Sequence, residues 1–122
     1  PHRSYLPVLQ RALADHGLIK GLAHITGGGL IDNLPRILPA GCNAVIERGS
    51  WPMPPLFRLV ESVATALPAD ELYRTLNMGI GMVVVVASDR TEQLRASIDE
   101  ETWVIGHLTS NLTGGDRRVI MR

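Results

Sequence analysis

Seven residues carry the side chains and spacing that invite chemistry. His24 and Thr26 stand one residue apart at the end of an apolar run, Gly21-Leu22-Ala23-His24-Ile25-Thr26, and Gly27, Gly28 and Gly29 follow directly. Asn77 and Gly79 sit in a second glycine-punctuated stretch, "RTLNMGIGM", at 74–82. A strand, a glycine loop and a helix start form an anion site on general grounds. Glycines let backbone approach a ligand, and the first helical turn offers N–H groups without internal partners beside a partial positive charge. Thr26 adds a hydroxyl. An imidazole titrating near ~6.5 suits His24 to proton transfer or phosphate donation. The stretch "GGGLIDN" has neither the Lys and Ser/Thr of a P-loop nor the G-x-G-x-x-G of a dinucleotide fold. A tight turn that packs a helix close to a strand fits the three glycines as well. A hydrogen-bonded histidine at a strand end fits His24, and close helix packing fits Gly79 and Gly81. Asp32, in the first turn after the glycines, suits the helix dipole.

The elements that must position these residues follow from pattern and punctuation. "PVLQRALADH" (7–16) has apolar positions at helical spacing, with Pro7 in the first turn and Gly17 as C-cap. Residues 19–25 read as a strand, 29–38 as a short helix interrupted or restarted at Pro35, and 43–48 as a second strand. "GSWPMPP" (49–55) is a rigid loop in which Trp51 is a packing anchor. Helices follow over 56–67 and 69–76. "MVVVV" (82–86) has the composition of a strand covered on both faces. Thr91 caps a helix running to Asp99. "TWVIGHL" and "RRVIMR" close the chain as strands joined by a turn at 114–116, and residues 2–6 are a possible extra strand. The order α β α β α α β α β β predicts an α/β layered sandwich, α+β-like, with a mixed sheet covered by helices. Residues 1–122 form a single domain without repeat or linker.

Composition narrows the classes. The chain has 122 residues, 45% of them apolar, enough for one packed core, and a formal net charge of zero, so no basic face announces nucleic acid. The longest apolar run, 79–87, is far short of the ~20 residues that span a bilayer, and no signal peptide is expected. Cys42 is the single cysteine, so no internal disulfide forms and no clustered Cys/His spacing suggests structural zinc. These features predict a cytoplasmic protein with no metal site of its own. Asn111-Leu112-Thr113 matches a glycosylation sequon, a match common by chance. The chain opens on Pro1 rather than Met, which fits a piece of a longer protein.

Four stretches taken together resemble a known family. They are "GLAHITGGGLIDNLPRILP" (21–39), W-P-x-P-x-L-F from Trp51 to Phe57, "YRTLNMGIGMVVVV" (73–86) and "TWVIGHL" (102–108). Their order and spacing are similar to those of phosphoribosylformylglycinamidine cyclo-ligase, also called aminoimidazole ribonucleotide synthetase. The resemblance covers nearly the whole chain but only roughly the last third of that enzyme. It implies the C-terminal part of a two-domain α/β enzyme of purine biosynthesis, a homodimer when complete. The enzyme uses ATP and magnesium to close the imidazole ring of a ribonucleotide substrate.

Carried over residue by residue, the resemblance places His24 in the cleft as a catalytic residue. Thr26, Gly27, Gly28, Gly29, Asn77 and Gly79 become substrate- or phosphate-binding residues. ATP and magnesium fall mainly to an N-terminal domain outside this chain, so the chain alone is expected to be inactive, and its partners are a small-molecule ribonucleotide and a second copy. Gly28→Val is expected to impair turnover with the fold intact. The alternatives are a sister enzyme acting on another phosphate acceptor, of the selenophosphate synthetase or thiamine-monophosphate kinase type, and a non-catalytic module that binds a phosphometabolite or partner. Loss of a covering segment predicts an exposed apolar patch or sheet edge that drives self-association.

Overall fold

The computed structural model describes residues 2–111, 116 and 118–122. Helix α1 (Leu6–Ala14) has Pro7 in its first turn and buries Leu9 and Ala12. Gly17, at φ +85°, turns the chain into strand β1 (Ile19–His24). Helix α2 (Gly29–Asn33) follows the glycines at once and passes into a 3₁₀ turn at Leu34–Arg36, the interruption that Pro35 predicts. Strand β2 (Cys42–Ile46) is almost wholly buried. Helices α3 (Pro55–Val63) and α4 (Ala69–Thr75) each begin directly after a proline, Pro54 and Pro68. Strand β3 (Met82–Val86), a 3₁₀ turn at Ser88–Arg90, helix α5 (Thr91–Ala96), and strands β4 (Gly106–Ser110) and β5 (Val119–Met121) complete the order.

The α/β class holds, and the strands divide into two sheets. β1 and β3 form an antiparallel ribbon that pairs Leu22 with Val84 and His24 with Met82. The second sheet is mixed, in the order β4-β2-β5, with β2 antiparallel to β4 and parallel to β5. The main core joins both through Ala23, Ile25, Leu30, Leu34, Ile46, Trp51 and Met78. A smaller cluster of Ala12, Leu18 and Leu94, with Ile19, Val84 and Val86 packed against it, fastens α1 and α5 to the ribbon.

Several sequence expectations are corrected. All five residues of β3 are only half-buried, not covered on both faces, because apolarity reports a need for cover and not its presence. Residues 102–105 are irregular, and the strand expected at 102–108 starts at Gly106 and runs to Ser110. Residues 2–5 form no strand. Thr91 lies inside α5 rather than capping it. Its hydroxyl donates back to the Ser88 carbonyl at 3.1 Å, and the helix ends at Ala96. Most of the turn expected at 114–116, and of the sequon at 111–113, lies outside the described residues.

Candidate functional site

The site grows from the C-terminal end of β1. His24 is exposed there, and Ile25 turns inward, its N–H donating to the Gly81 carbonyl at 2.9 Å. Thr26 follows half-buried, and Gly27 is exposed with open space where a side chain would stand. The Gly29 N–H donates to the Thr26 carbonyl at 3.0 Å, which closes the loop.

The three glycines have different physical reasons. Gly28 lies at φ +100°, and a Cβ there would come within 2.9 Å of the Asp32 Cβ. Gly29 lies at φ +56° and is buried against α4. A Cβ there would overlap the Tyr73 carbonyl oxygen and reach within 2.6 Å of the Leu76 carbonyl. Both positions demand glycine for backbone and packing reasons. Gly27 has neither constraint, so it is the one glycine of the three with open space at its side-chain position. The expectation that Gly28→Val spares the fold therefore does not hold.

Asn33, which the sequence did not single out, ties the loop together. Its buried Nδ2 donates to the Gly29 carbonyl at 2.8 Å and also reaches the carbonyls of Gly27 at 3.3 Å and Thr26 at 3.4 Å. One amide turns three carbonyls inward. An isolated asparagine inside a helix-forming stretch carries no signal for this role, which depends on a loop conformation that the residue itself stabilises.

The second motif converges on the same place. Leu76 touches the Gly29 position and Gly81 bonds Ile25, so the segment 77–80 between them lies beside the loop. Asn77 Oδ1 accepts from the Gly79 N–H at 3.0 Å, which fixes the turn into β3. Gly79, at φ +92°, sits against the Pro54 ring, where a Cβ would come within 2.6 Å. Trp51 is buried as expected, and its indole N–H donates to the Met78 carbonyl at 3.0 Å. Asn77 and Gly79 thus have structural work that accounts for them without a ligand.

Around His24 stand two rings that sequence reasoning passed over. His2 lies edge-on at 5.3 Å between centroids and Tyr5 at 6.1 Å. Asp32 is neutralised across the loop by Arg74 of α4, Nη1 to Oδ1 2.7 Å. That pairing, exposed on both sides, offsets part of the repulsion an isolated carboxylate would exert on an anion. Tyr73, beneath Gly29, is held above the usual tyrosine range, first by burial and then by the charge of Glu61. Among the described residues, no three His, Cys, Asp or Glu side chains converge on a metal position. No helix is long and apolar enough to cross a membrane.

Read by its whole length rather than by single motifs, the chain matches a family model described as AIR synthase related protein, C-terminal domain, over residues 4–115. The chain belongs to this family. Among its relatives, the phosphoribosylformylglycinamidine cyclo-ligase of Syntrophotalea carbinolica is 40% identical over 124 residues, covering 99% of this chain and 35% of that protein. The protein of the same name from Bordetella avium is 46% identical over 109 residues, covering 88% of this chain and 31% of its own length. The chain thus spans about a third of the curated relatives it matches. The crystal structure of E. coli HypE, a hydrogenase maturation protein, superposes with a TM-score of 0.66 at 23% identity, over 96% of this chain and 39% of that one. That likeness shows a shared fold. The AIR synthase related C-terminal domain is therefore an architecture that proteins of different activity carry, and the glycine loop must be argued from its own residues.

Proposed function

We propose that this chain is the C-terminal part of an ATP-dependent cyclo-ligase that converts formylglycinamidine ribonucleotide to aminoimidazole ribonucleotide in purine biosynthesis. What supports the reading most is the 40% identity, running over 99% of the chain, to a protein of that name. In this reading the single domain of residues 1–122 is one wall of a cleft, and a preceding domain supplies the other.

The loop after β1 is the part that meets substrate. Thr26 offers a hydroxyl and Gly27 an accessible backbone at the ribotide phosphate or a neighbouring polar group. Gly28, Gly29, Asn77 and Gly79 hold the shape that presents them. His24, exposed on the last position of β1, orients the substrate or moves a proton at the closing ring. ATP supplies the phosphoryl group that makes the formyl oxygen a leaving group. The carboxylate nearest the loop, Asp32, is engaged by Arg74. ATP and magnesium belong to the preceding domain, and the work of this chain is binding and orientation. A cytoplasmic homodimer is the assembly this reading expects.

The test uses the complete gene product that carries this segment. With formylglycinamidine ribonucleotide, ATP and magnesium, the product is detected by diazo coupling of its aromatic amine. ATP-dependent product is expected. A folded protein that binds ATP and gives no product would move the assignment to a sister enzyme with another phosphate acceptor.

A further inference from the structure

Residues 2–5 cross the face of the ribbon on which His24 stands. Along β1 the side chains alternate between two faces. Ala23 and its partner Val83 turn to the main core. Val84, opposite Leu22, packs instead with the cluster that holds α1. His24 shares that second face, and the segment leading into α1 passes over it. Three contacts tether the segment. The Tyr5 hydroxyl fills the room left by Gly81, where a Cβ would overlap it. The Arg3 guanidinium pairs with Glu100 and lies 5.2 Å from the centre of the Tyr5 ring. The Tyr5 carbonyl accepts from the Leu9 N–H at 3.1 Å, which joins the segment to α1. His2 is thereby set against His24, with ring centres 5.3 Å apart and planes at 79°.

Two imidazoles at this spacing suit a chelate. A zinc–nitrogen bond of about 2.0–2.1 Å puts each ring centre roughly 3.2 Å from the metal, and a tetrahedral angle then puts the two centres roughly 5.2 Å apart. The angle between the planes is no obstacle, because each ring turns about its own metal–nitrogen axis. Burial does not account for the pair, since both residues are exposed. Donor chemistry selects the cation. Neutral imidazole suits zinc, nickel and copper, whereas magnesium and calcium take oxygen ligands. The nearby Arg3 charge is engaged by Glu100. Among the described residues no third His, Cys, Asp or Glu joins the pair, so the other positions on the metal are left to water.

We propose that His2 and His24 form a two-histidine site for a divalent transition metal of the zinc class, at the rim of the glycine loop. The site is separate from the magnesium that accompanies ATP. Binding stands apart from the cyclisation reaction. Its effect on activity rests on the role proposed for His24: a metal held there occupies that imidazole, so zinc would inhibit.

Zinc titration calorimetry on the longest polypeptide that carries this chain, free of any histidine tag and in magnesium buffer, tests the site. Both side chains are exposed, so glutamine at either position leaves the fold intact. Even an outer partner of a metal ligand is worth about 10-fold or more in affinity. His2→Gln and His24→Gln should therefore each weaken the same zinc-binding event by at least about 10-fold. His107→Gln, on β4, should leave it unchanged. In NMR spectra, the imidazole C–H resonances that zinc shifts should be those that disappear in the two variants. The inference is overturned if the parent binds no zinc in this buffer. It is equally overturned if His2→Gln binds zinc as tightly as the parent, since His24 would then act as a lone surface histidine. Because binding is read without turnover, a protein that makes no aminoimidazole ribonucleotide yet binds zinc through both histidines keeps the site and loses only the proposed reaction.

Discussion

Substituting alanine at Gly27 and at Gly29 separates the two explanations of the glycine loop. At Gly29 an alanine must hold φ +56° with its Cβ driven into the backbone carbonyls of Tyr73 and Leu76. The left-handed conformation alone costs a non-glycine residue about 1–2 kcal/mol. The overlap is with backbone, not with the end of a flexible side chain, so α2 must move off α4 and lose contacts of the buried Leu30 and Tyr73. A further ~1–3 kcal/mol for that strain brings the total to about 3 kcal/mol. At roughly 4 °C per kcal/mol for a domain of this size, Tm falls by about 12 °C. At Gly27 the space is open and φ lies outside the left-handed region, so Gly27→Ala should stay within about 0.5 kcal/mol of the parent. Urea unfolding followed by circular dichroism measures both. A Gly29→Ala protein within 0.5 kcal/mol of the parent would refute the packing argument. The same Gly27→Ala variant, placed in the complete protein, then tests binding: a raised KM with unchanged stability is expected, and unchanged kinetics would remove the loop from the substrate site.

Four further outcomes are expected. His24→Ala in the complete protein should lower kcat by about 10²-fold if the imidazole transfers a proton, and a loss under about threefold in steady-state assays would leave it a surface histidine. Trp51→Phe deletes the indole donor to Met78 and leaves a buried carbonyl without its partner, costing about 2–3 kcal/mol in chemical denaturation; a cost under 1 kcal/mol would contradict that role. Because the folded-state pKa of Tyr73 is raised, chiefly by burial, its contribution is fully present below pH ~10, the unfolded value, and is lost as pH rises through the higher folded value. Tyr73→Phe should flatten that alkaline loss in melts between pH 9 and 11, and an unchanged slope would show the phenol to be accessible. Leu56, Leu59 and Val63 are 65%, 60% and 73% exposed along one side of α3, so Leu59→Lys should reduce self-association in light scattering while changing stability by less than about 0.5 kcal/mol. A parent chain that is already monomeric would refute the premise.

What the sequence made legible is what local chemistry determines. Pro7 lies in the first turn of α1, Pro35 restarts a helix as a 3₁₀ turn, and Trp51 in a proline-rich loop is a buried anchor, because each depends on the residue's own conformational limits; α1 itself ends at Ala14 with Asp15 as its C-cap, short of the cap expected at Gly17. The convergence of the two glycine motifs followed only from the family resemblance; no spacing within either motif contains it. The division into two sheets and the half-exposure of β3 were not legible, since a run of valines has the same composition whether or not a partner covers it. Gly28 and Gly29 looked alike in the string and differ from Gly27 only through α2 and α4, elements whose approach is a tertiary fact. Asn33 stayed hidden for the same reason.

The ribbon that carries the site joins residues far apart in the chain, with Leu22 opposite Val84 and His24 opposite Met82. About sixty residues intervene, so the loop-closure entropy of that whole span is met before the end of β1 gains its partner. During synthesis, His24 and Thr26 leave the ribosome about sixty residues ahead of their partners in β3 and wait without a scaffold until β3 has followed. The glycine loop is thus made before the strand that braces it and takes shape only after that strand has followed. A substitution in the valine run that slows pairing would delay the appearance of the site without touching any residue in it.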